Sequence, residues 1–103
     1  MEEIWFTGSD IKVKVELVCE GFDMDLNEWS VTVYLGGKKA HTYAKADCAR
    51  DDDGGWYCCI SRSHLKKNGV ITLVATAEVP DTDFPDEIRH EVDKTQIGKY
   101  NAI

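Results

Sequence analysis

Residues 21–37 read GFDMDLNEWSVTVYLGG, and the second half of this stretch decides the fold. From Trp29 to Leu35 apolar and polar side chains alternate, which is typical of a β-strand with one buried face. The stretch ends on Gly36-Gly37, and two lysines follow. This pattern predicts a tight hairpin turn and a return strand at residues 40–44.

The same alternation recurs elsewhere in the chain and predicts the remaining architecture. Further strands are predicted at residues 11–20, 56–60, 70–79 and 88–97. In the last of these, Ile88, Val92 and His90 are predicted to face inward. The sequence therefore predicts an all-β fold, an Ig-like antiparallel β-sandwich of six to eight strands, as a single domain over residues 1–103. A small barrel is the alternative architecture.

The charge and the hydropathy of the chain disfavour several classes of partner. The net charge of −7 disfavours nucleic acid and anionic membrane surfaces, and we expect neither as a partner. No apolar run approaches the roughly 20 residues that cross a bilayer. The start MEEIWFTGSD lacks the pattern of a signal peptide, so we expect the protein to be cytoplasmic when it is made.

The four cysteines form no C-x-x-C pair, which disfavours a zinc ribbon or a thioredoxin-type motif. We interpret Cys19 and Cys58 as small apolar core residues. A Cys19–Cys58 disulfide between the sheets remains open, although the absence of a secretory signal favours reduced thiols.

The order of the strands predicts that loop charges separate between the two ends of the sandwich. If consecutive strands are antiparallel, the connections at 20–28, 45–55 and 80–87 share one end, and the turns at 36–39 and 61–69 share the other. The acidic end then provides a candidate interaction surface of Asp23, Asp25, Glu28, Asp51, Asp52, Asp53, Asp81, Asp83 and Asp86. The opposite end carries Lys38, Lys39, Arg62, His64, Lys66 and Lys67. This separation predicts a module that stacks acidic end to basic end, or that steers a partner electrostatically.

Specific ligand sites have weaker support in the sequence. Asp51 and Asp53, with Asp81 or Asp83, are calcium candidates because calcium prefers oxygen ligands, but the spacing is not that of an EF-hand. Tyr34, Tyr43 and Tyr57 would form a sugar-stacking surface if they shared an outward face. No catalytic motif or cofactor-binding motif is recognised, so we expect neither an enzyme nor a cofactor.

Four segments carry a resemblance to a known family. They are TGSDIKVKVEL from residue 7, GFDMDLNEWSVTV from residue 21, GGWYCCI from residue 54 and TAEVPDTDFPDEIRHEV from residue 76. Together they resemble a family of small proteins of gut Bacteroides and their phages, whose Ig-like fold is similar to the N-terminal domain of phage baseplate upper proteins. The similarity extends from about Trp5 to Lys94.

The resemblance implies a virion structural protein of a phage or prophage, in the tail or baseplate, that acts through protein–protein contacts. Its expected partners are other virion proteins or further copies of itself. No catalytic or ligand residue is implied by the resemblance. A carbohydrate-binding module and a calcium-stabilised adhesion-type module are the alternatives.

Overall fold

The computed structural model describes residues 3–101, which form two packed β-sheets. The strands are β1 (Glu3–Phe6), β2 (Ile11–Val15), β3 (Trp29–Leu35), β4 (Lys38–Ala44), β5 (Ala49–Arg50), β6 (Trp56–Ile60), β7 (Gly69–Pro80) and β8 (Ile88–Asn101). The larger sheet has the order β1-β8-β7-β3-β4, and the smaller has the order β2-β6-β5. Single 3-10 helical turns occur at Lys45–Asp47 and Arg62–His64. The predicted all-β sandwich is confirmed.

Strand β3 lies in the larger sheet between β4 and β7. Its apolar positions, from Trp29 to Leu35, are buried, and the polar positions between them are partly exposed. The hairpin to β4 turns on Gly36 and Gly37, whose φ angles are 59° and 82°. Two successive positive φ angles are what a two-residue hairpin turn with the sheet's natural twist requires, and glycine adopts them without strain.

The core lies between the two sheets. Strand β7 contributes alternate residues from Ile71 to Val79, all buried, as the sequence predicts. The smaller sheet contributes Ile11 and Val15 from β2 and Cys58 and Ile60 from β6. Tyr100 closes this core and is fully buried.

Strand β2 is shorter than predicted, and the expected strand over residues 11–20 is wrong beyond Val15. Val15 pairs with Trp56, which is the first residue of β6, so no partner strand continues past it. Leu17 is still buried, whereas Val18 is 89% exposed.

Strand β8 is longer than predicted, and its inward face was assigned wrongly. The residues opposite buried Ala77 and Val79 on β7 are Glu91 and Arg89, so these charged side chains share the inner face. His90 is exposed, and Val92 is 65% exposed. Arg89 and Glu91 form an ion pair there, so each charge is compensated by the other. The sequence predicts apolar residues on this face.

The predicted antiparallel arrangement has one exception at the start of the chain. Strand β1 pairs with β8 in parallel, with Glu3 opposite Gly98 and Phe6 opposite Asn101. Because β1 covers only the last part of β8, the register places the earlier part of β8 at the edge of the larger sheet.

Candidate functional site

The two ends of the sandwich form the candidate interaction surfaces. Strand β3 connects them, since Trp29 lies beside the acidic loops and Leu35 lies beside the lysine-rich turns. Seven residues at about 3.3 Å per residue place the two ends roughly 20 Å apart.

Asp25 is the centre of the contacts at the acidic end. Arg50 donates from Nε to Oδ1 at 2.6 Å and from Nη2 to Oδ2 at 2.8 Å. The indole of Trp56 donates to Oδ1 at 2.7 Å. The hydrogen bonds from Arg50 and then from Trp56 lower the pKa of Asp25 from 3.8 to about 2. Asp25 therefore holds the loop before β3 against β5 and β6.

Lys45 adds a second attachment between the same loops. Its Nζ donates to the backbone oxygens of Asp25 at 2.7 Å and Asn27 at 3.0 Å. The indole of Trp29 donates to the Met24 oxygen at 2.9 Å, and its ring meets the Trp56 ring edge to face at 5.3 Å. The connections at 20–28 and 45–55 thus share one end, as the sequence predicts.

Arg89 brings the third acidic connection to this end. Its guanidinium binds Asp81 at 2.5 Å and Glu91 at 2.6 Å, and it also donates to the backbone oxygen of Glu20. The hydrogen bonds with Glu91 and Asp81 raise the pKa of Arg89. The pKa of Asp81 is lowered, first by the backbone N–H of Asp83 and then by Arg89.

Three of the four calcium candidates are engaged with other partners, whereas the carboxylate of Asp83 has none within residues 3–101. Asp51 binds the ammonium of Lys12 at 3.0 Å, and Asp53 accepts from the N–H of Gly55 at 2.7 Å and the hydroxyl of Tyr57 at 2.8 Å. Asp81 binds Arg89, as described above. Within residues 3–101, no three His, Cys, Asp or Glu side chains are grouped as a metal site requires.

The acidic end is therefore partly neutralised, although some of its carboxylates remain unpaired. Asp23 and Asp86 accept only backbone N–H groups, from Asp25 and Ile88. Three exposed carboxylates have no hydrogen-bond or ion-pair partner in the described part of the chain, and these are Glu28, Asp52 and Asp83. Of the nine residues predicted as an interaction surface, these three are the ones most available to a partner.

The opposite end is a lysine-rich hollow, defined by Lys38, Lys39, Lys66 and Lys67. All four lysines are exposed, and none has an ion-pair partner among residues 3–101. They surround a hollow of about 300 Å³, which is also lined by Leu35, Ala40, Ser63 and His64. The N–H of Gly36 donates to the oxygen of Val70 at 2.9 Å, which joins the hairpin turn to the start of β7.

A stacked histidine pair borders the lysine-rich hollow. The rings of His41 and His64 are nearly parallel, with an interplanar angle of 7° and centroids 3.7 Å apart. The hydroxyl of Tyr43 forms a hydrogen bond with Nδ1 of His64 at 2.6 Å and accepts the N–H of Ser61 at 3.2 Å. The sequence does not predict this cluster, because its members come from β4 and from a separate turn.

The tyrosines do not form the predicted sugar-stacking row. Tyr43 is buried, with only 5% of its surface exposed. Tyr34 lies on β3 of the larger sheet, whereas Tyr57 lies on β6 of the smaller sheet. The expectation of one shared outward face is wrong.

No protein-family model, curated protein or solved structure matches this chain.

No helix within residues 3–101 has the length and apolarity needed to cross a membrane.

Proposed function

We propose that the protein is a non-enzymatic structural module that assembles through protein–protein contacts, as a tail or baseplate component of a phage or prophage virion. The observation that carries the proposal is the opposite charge of its two ends. The virion setting is supported by the family resemblance of its sequence motifs. In this proposal the protein is made in the cytoplasm and joins the particle there.

The occupant proposed for the lysine-rich hollow is the acidic end of a second copy. Four exposed lysines, none with an ion-pair partner among the described residues, form a positive surface on a chain whose net charge is −7. The acidic end of the same chain offers Glu28, Asp52 and Asp83. Charge complementarity of this kind guides encounter and fixes the orientation of partners.

The internal ion pairs also favour contact between the ends. Asp25 and Arg50, together with Asp81 and Arg89, join the acidic loops to the strands, so these loops lose little conformational freedom on binding. Preorganised surfaces bind more tightly than flexible ones, because less ordering has to occur on association. Stacking end to end would be heterologous and would form a ring or a column.

Sedimentation velocity at low and high salt tests the proposal. We expect the protein to self-associate at low ionic strength and to dissociate as salt screens the exposed charges. The double variant Lys66→Glu/Lys67→Glu should abolish association. The matched control Lys94→Glu/Lys99→Glu makes the same charge change at exposed positions of β8 and should leave association intact.

A mixing experiment identifies the two surfaces that meet. The variant Asp52→Lys/Asp83→Lys should not associate alone but should form pairs with Lys66→Glu/Lys67→Glu. A wild-type protein that stays monomeric at every salt concentration would contradict stacking. Tail or capsid genes beside the gene for this chain would support the virion setting, and polysaccharide-utilisation genes would contradict it.

A further inference from the structure

The register of the smaller sheet places two cysteines opposite each other. Ala49 pairs with Tyr57 and Arg50 pairs with Trp56, so β5 and β6 are antiparallel. Cys48 directly precedes β5 and has an extended backbone, with φ −101° and ψ 162°. One further step in the same register brings Cys48 opposite Cys58.

The side chains of this pair meet at the core. Because Cys58 is fully buried on the inner face of β6, the residue opposite it points to the same face. Cys48 is partly buried and packs against the core cluster. Each thiol perturbs the pKa of the other, which is consistent with two neighbouring sulfur atoms.

We propose that Cys48 and Cys58 are a redox site, which closes reversibly to a cross-strand disulfide when the protein meets a low-molecular-weight disulfide such as oxidised glutathione. Directly opposite residues of antiparallel strands have Cα atoms about 4.5–5.5 Å apart. This separation lies within the range of about 4.4–6.8 Å that a disulfide spans.

The two thiols suit the two steps of thiol–disulfide exchange. The Cys48 thiolate attacks one sulfur of oxidised glutathione, which forms a mixed disulfide and releases one glutathione thiolate. Cys58 then loses its proton, attacks the Cys48 sulfur and releases the second glutathione. Two protein thiols are oxidised in this way, and one glutathione disulfide is reduced to two thiols.

The surroundings of each thiol support this order of attack. The neighbouring Cys58 thiol lowers the pKa of Cys48, which favours a thiolate at the more accessible position. The Cys48 thiol, together with burial, raises the pKa of Cys58, so this thiol remains protonated until the mixed disulfide has formed. Cys48 is the attacking group because it is the more accessible of the two thiols, and the fully buried Cys58 is the resolving group.

The other two cysteines have different surroundings. Cys59 is exposed on the outer face of β6, and Cys19 is partly buried beyond the end of β2. Neither lies opposite a cysteine in the sheet register. The Cys19–Cys58 disulfide considered from sequence is absent, since all four cysteines are free thiols.

The test uses the 103-residue chain with Cys19→Ser and Cys59→Ser, so that Cys48 and Cys58 are its only thiols. The reduced protein is incubated with oxidised glutathione, the remaining thiols are alkylated, and tryptic peptides are analysed by mass spectrometry. We expect the free thiols to fall from two to none in a monomer that has lost two hydrogens and carries no glutathione. Peptides 46–50 and 51–62 should be linked.

Two further experiments test whether the linkage joins Cys48 and Cys58. Adding Cys48→Ser should abolish the intramolecular linkage and leave an unchanged circular dichroism spectrum. In the wild-type chain, fragmentation between Cys58 and Cys59 should assign the linkage to Cys58. Stable glutathione adducts without a linkage, disulfide-linked dimers, or a wild-type linkage through Cys59 or Cys19 would each overturn the proposal.

Discussion

Arg50 binds both carboxylate oxygens of Asp25, with its Nε 2.6 Å from Oδ1 and its Nη2 2.8 Å from Oδ2. The two residues are 25 positions apart in the sequence. A planar guanidinium held by two parallel hydrogen bonds fixes orientation as well as distance. This pair therefore determines how the loop before β3 lies against the smaller sheet.

Replacement of Asp25 by asparagine should change the acid stability of the protein. The folded-state pKa of Asp25 is about 2, against an ordinary value of 3.8, so its contribution to stability is complete above the ordinary value. That contribution is lost as the pH falls from about 4 through about 2. We expect Asp25→Asn to be less stable than wild type at pH 7 and this difference to shrink over that range.

Urea unfolding at a series of pH values measures this effect. The control is Asp52→Asn, because Asp52 is an exposed aspartate with no partner in the described part of the chain. It should follow the wild-type curve throughout. A constant difference between Asp25→Asn and wild type from pH 7 to pH 2 would contradict the ion-pair explanation.

A matched pair of valines tests the corrected orientation of the last hairpin. Val79 on β7 is fully buried, whereas Val92 on β8 is 65% exposed. Val79→Ala removes packed methyl groups and should lower the free energy of unfolding by about 1–3 kcal/mol. Val92→Ala should change it by no more than about 0.5 kcal/mol. Equal losses in chemical denaturation would show that Val92 faces the core after all.

The hydroxyl of Tyr100 is expected to stabilise the start of the chain. It donates to the oxygen of Ser9 at 3.0 Å and accepts the N–H of Gly8 at 2.9 Å. Tyr100→Phe leaves both backbone groups without this partner and should cost about 1–3 kcal/mol of unfolding free energy. Tyr34→Phe is the control, since the Tyr34 hydroxyl has no partner within residues 3–101, and it should be close to neutral in the same denaturation experiment.

At Gly98 the approach of β1 to β8 leaves no room for a side chain. A Cβ at this position would lie 2.2 Å from the oxygen of Glu3 and 2.7 Å from the Trp5 ring. The variant Gly98→Ala should therefore displace β1 and speed amide hydrogen exchange in residues 3–6. Lys99→Ala, on the exposed neighbouring position, should leave that exchange slow. Unchanged protection in Gly98→Ala would show that β1 stays paired with β8 and that the added methyl group does not displace it.

The central hairpin could be predicted because its local patterns agree with each other. Alternation from Trp29 to Leu35 and the Gly36-Gly37 turn specify the same two strands, and the structure places them as expected. The separation of acidic and basic loops could also be predicted from the sequence, because it depends only on the order of antiparallel strands.

The last strand was mispredicted because its pairing contains an irregularity that the sequence does not reveal. Ile71 pairs with Gly98 and Thr72 pairs with Gln96, so Ile97 is an extra residue. Such a bulge reverses which alternate residues point inward. Tyr100 therefore reaches the core, whereas Val92 faces outward.

The ion pairs and the cysteine contact depend on register between segments that are distant in the sequence. Nothing in the residues around Arg50 or Arg89 identifies Asp25 or Asp81 as the partner. The position of Cys48 opposite Cys58 likewise follows from the pairing of β5, a strand of two residues whose alternation is too short to recognise.

The parallel pairing of β1 with β8 has a mechanical consequence. When Glu3 and Asn101 are pulled apart, the two strands are drawn along each other, and their hydrogen bonds share the tension at the same time. A hairpin pulled from its open end, in contrast, loses its bonds one after another. We expect single-molecule stretching to give a distinct rupture peak that Gly98→Ala lowers. The pairing of these terminal strands thus provides a shear-resistant clamp for a module placed under tension.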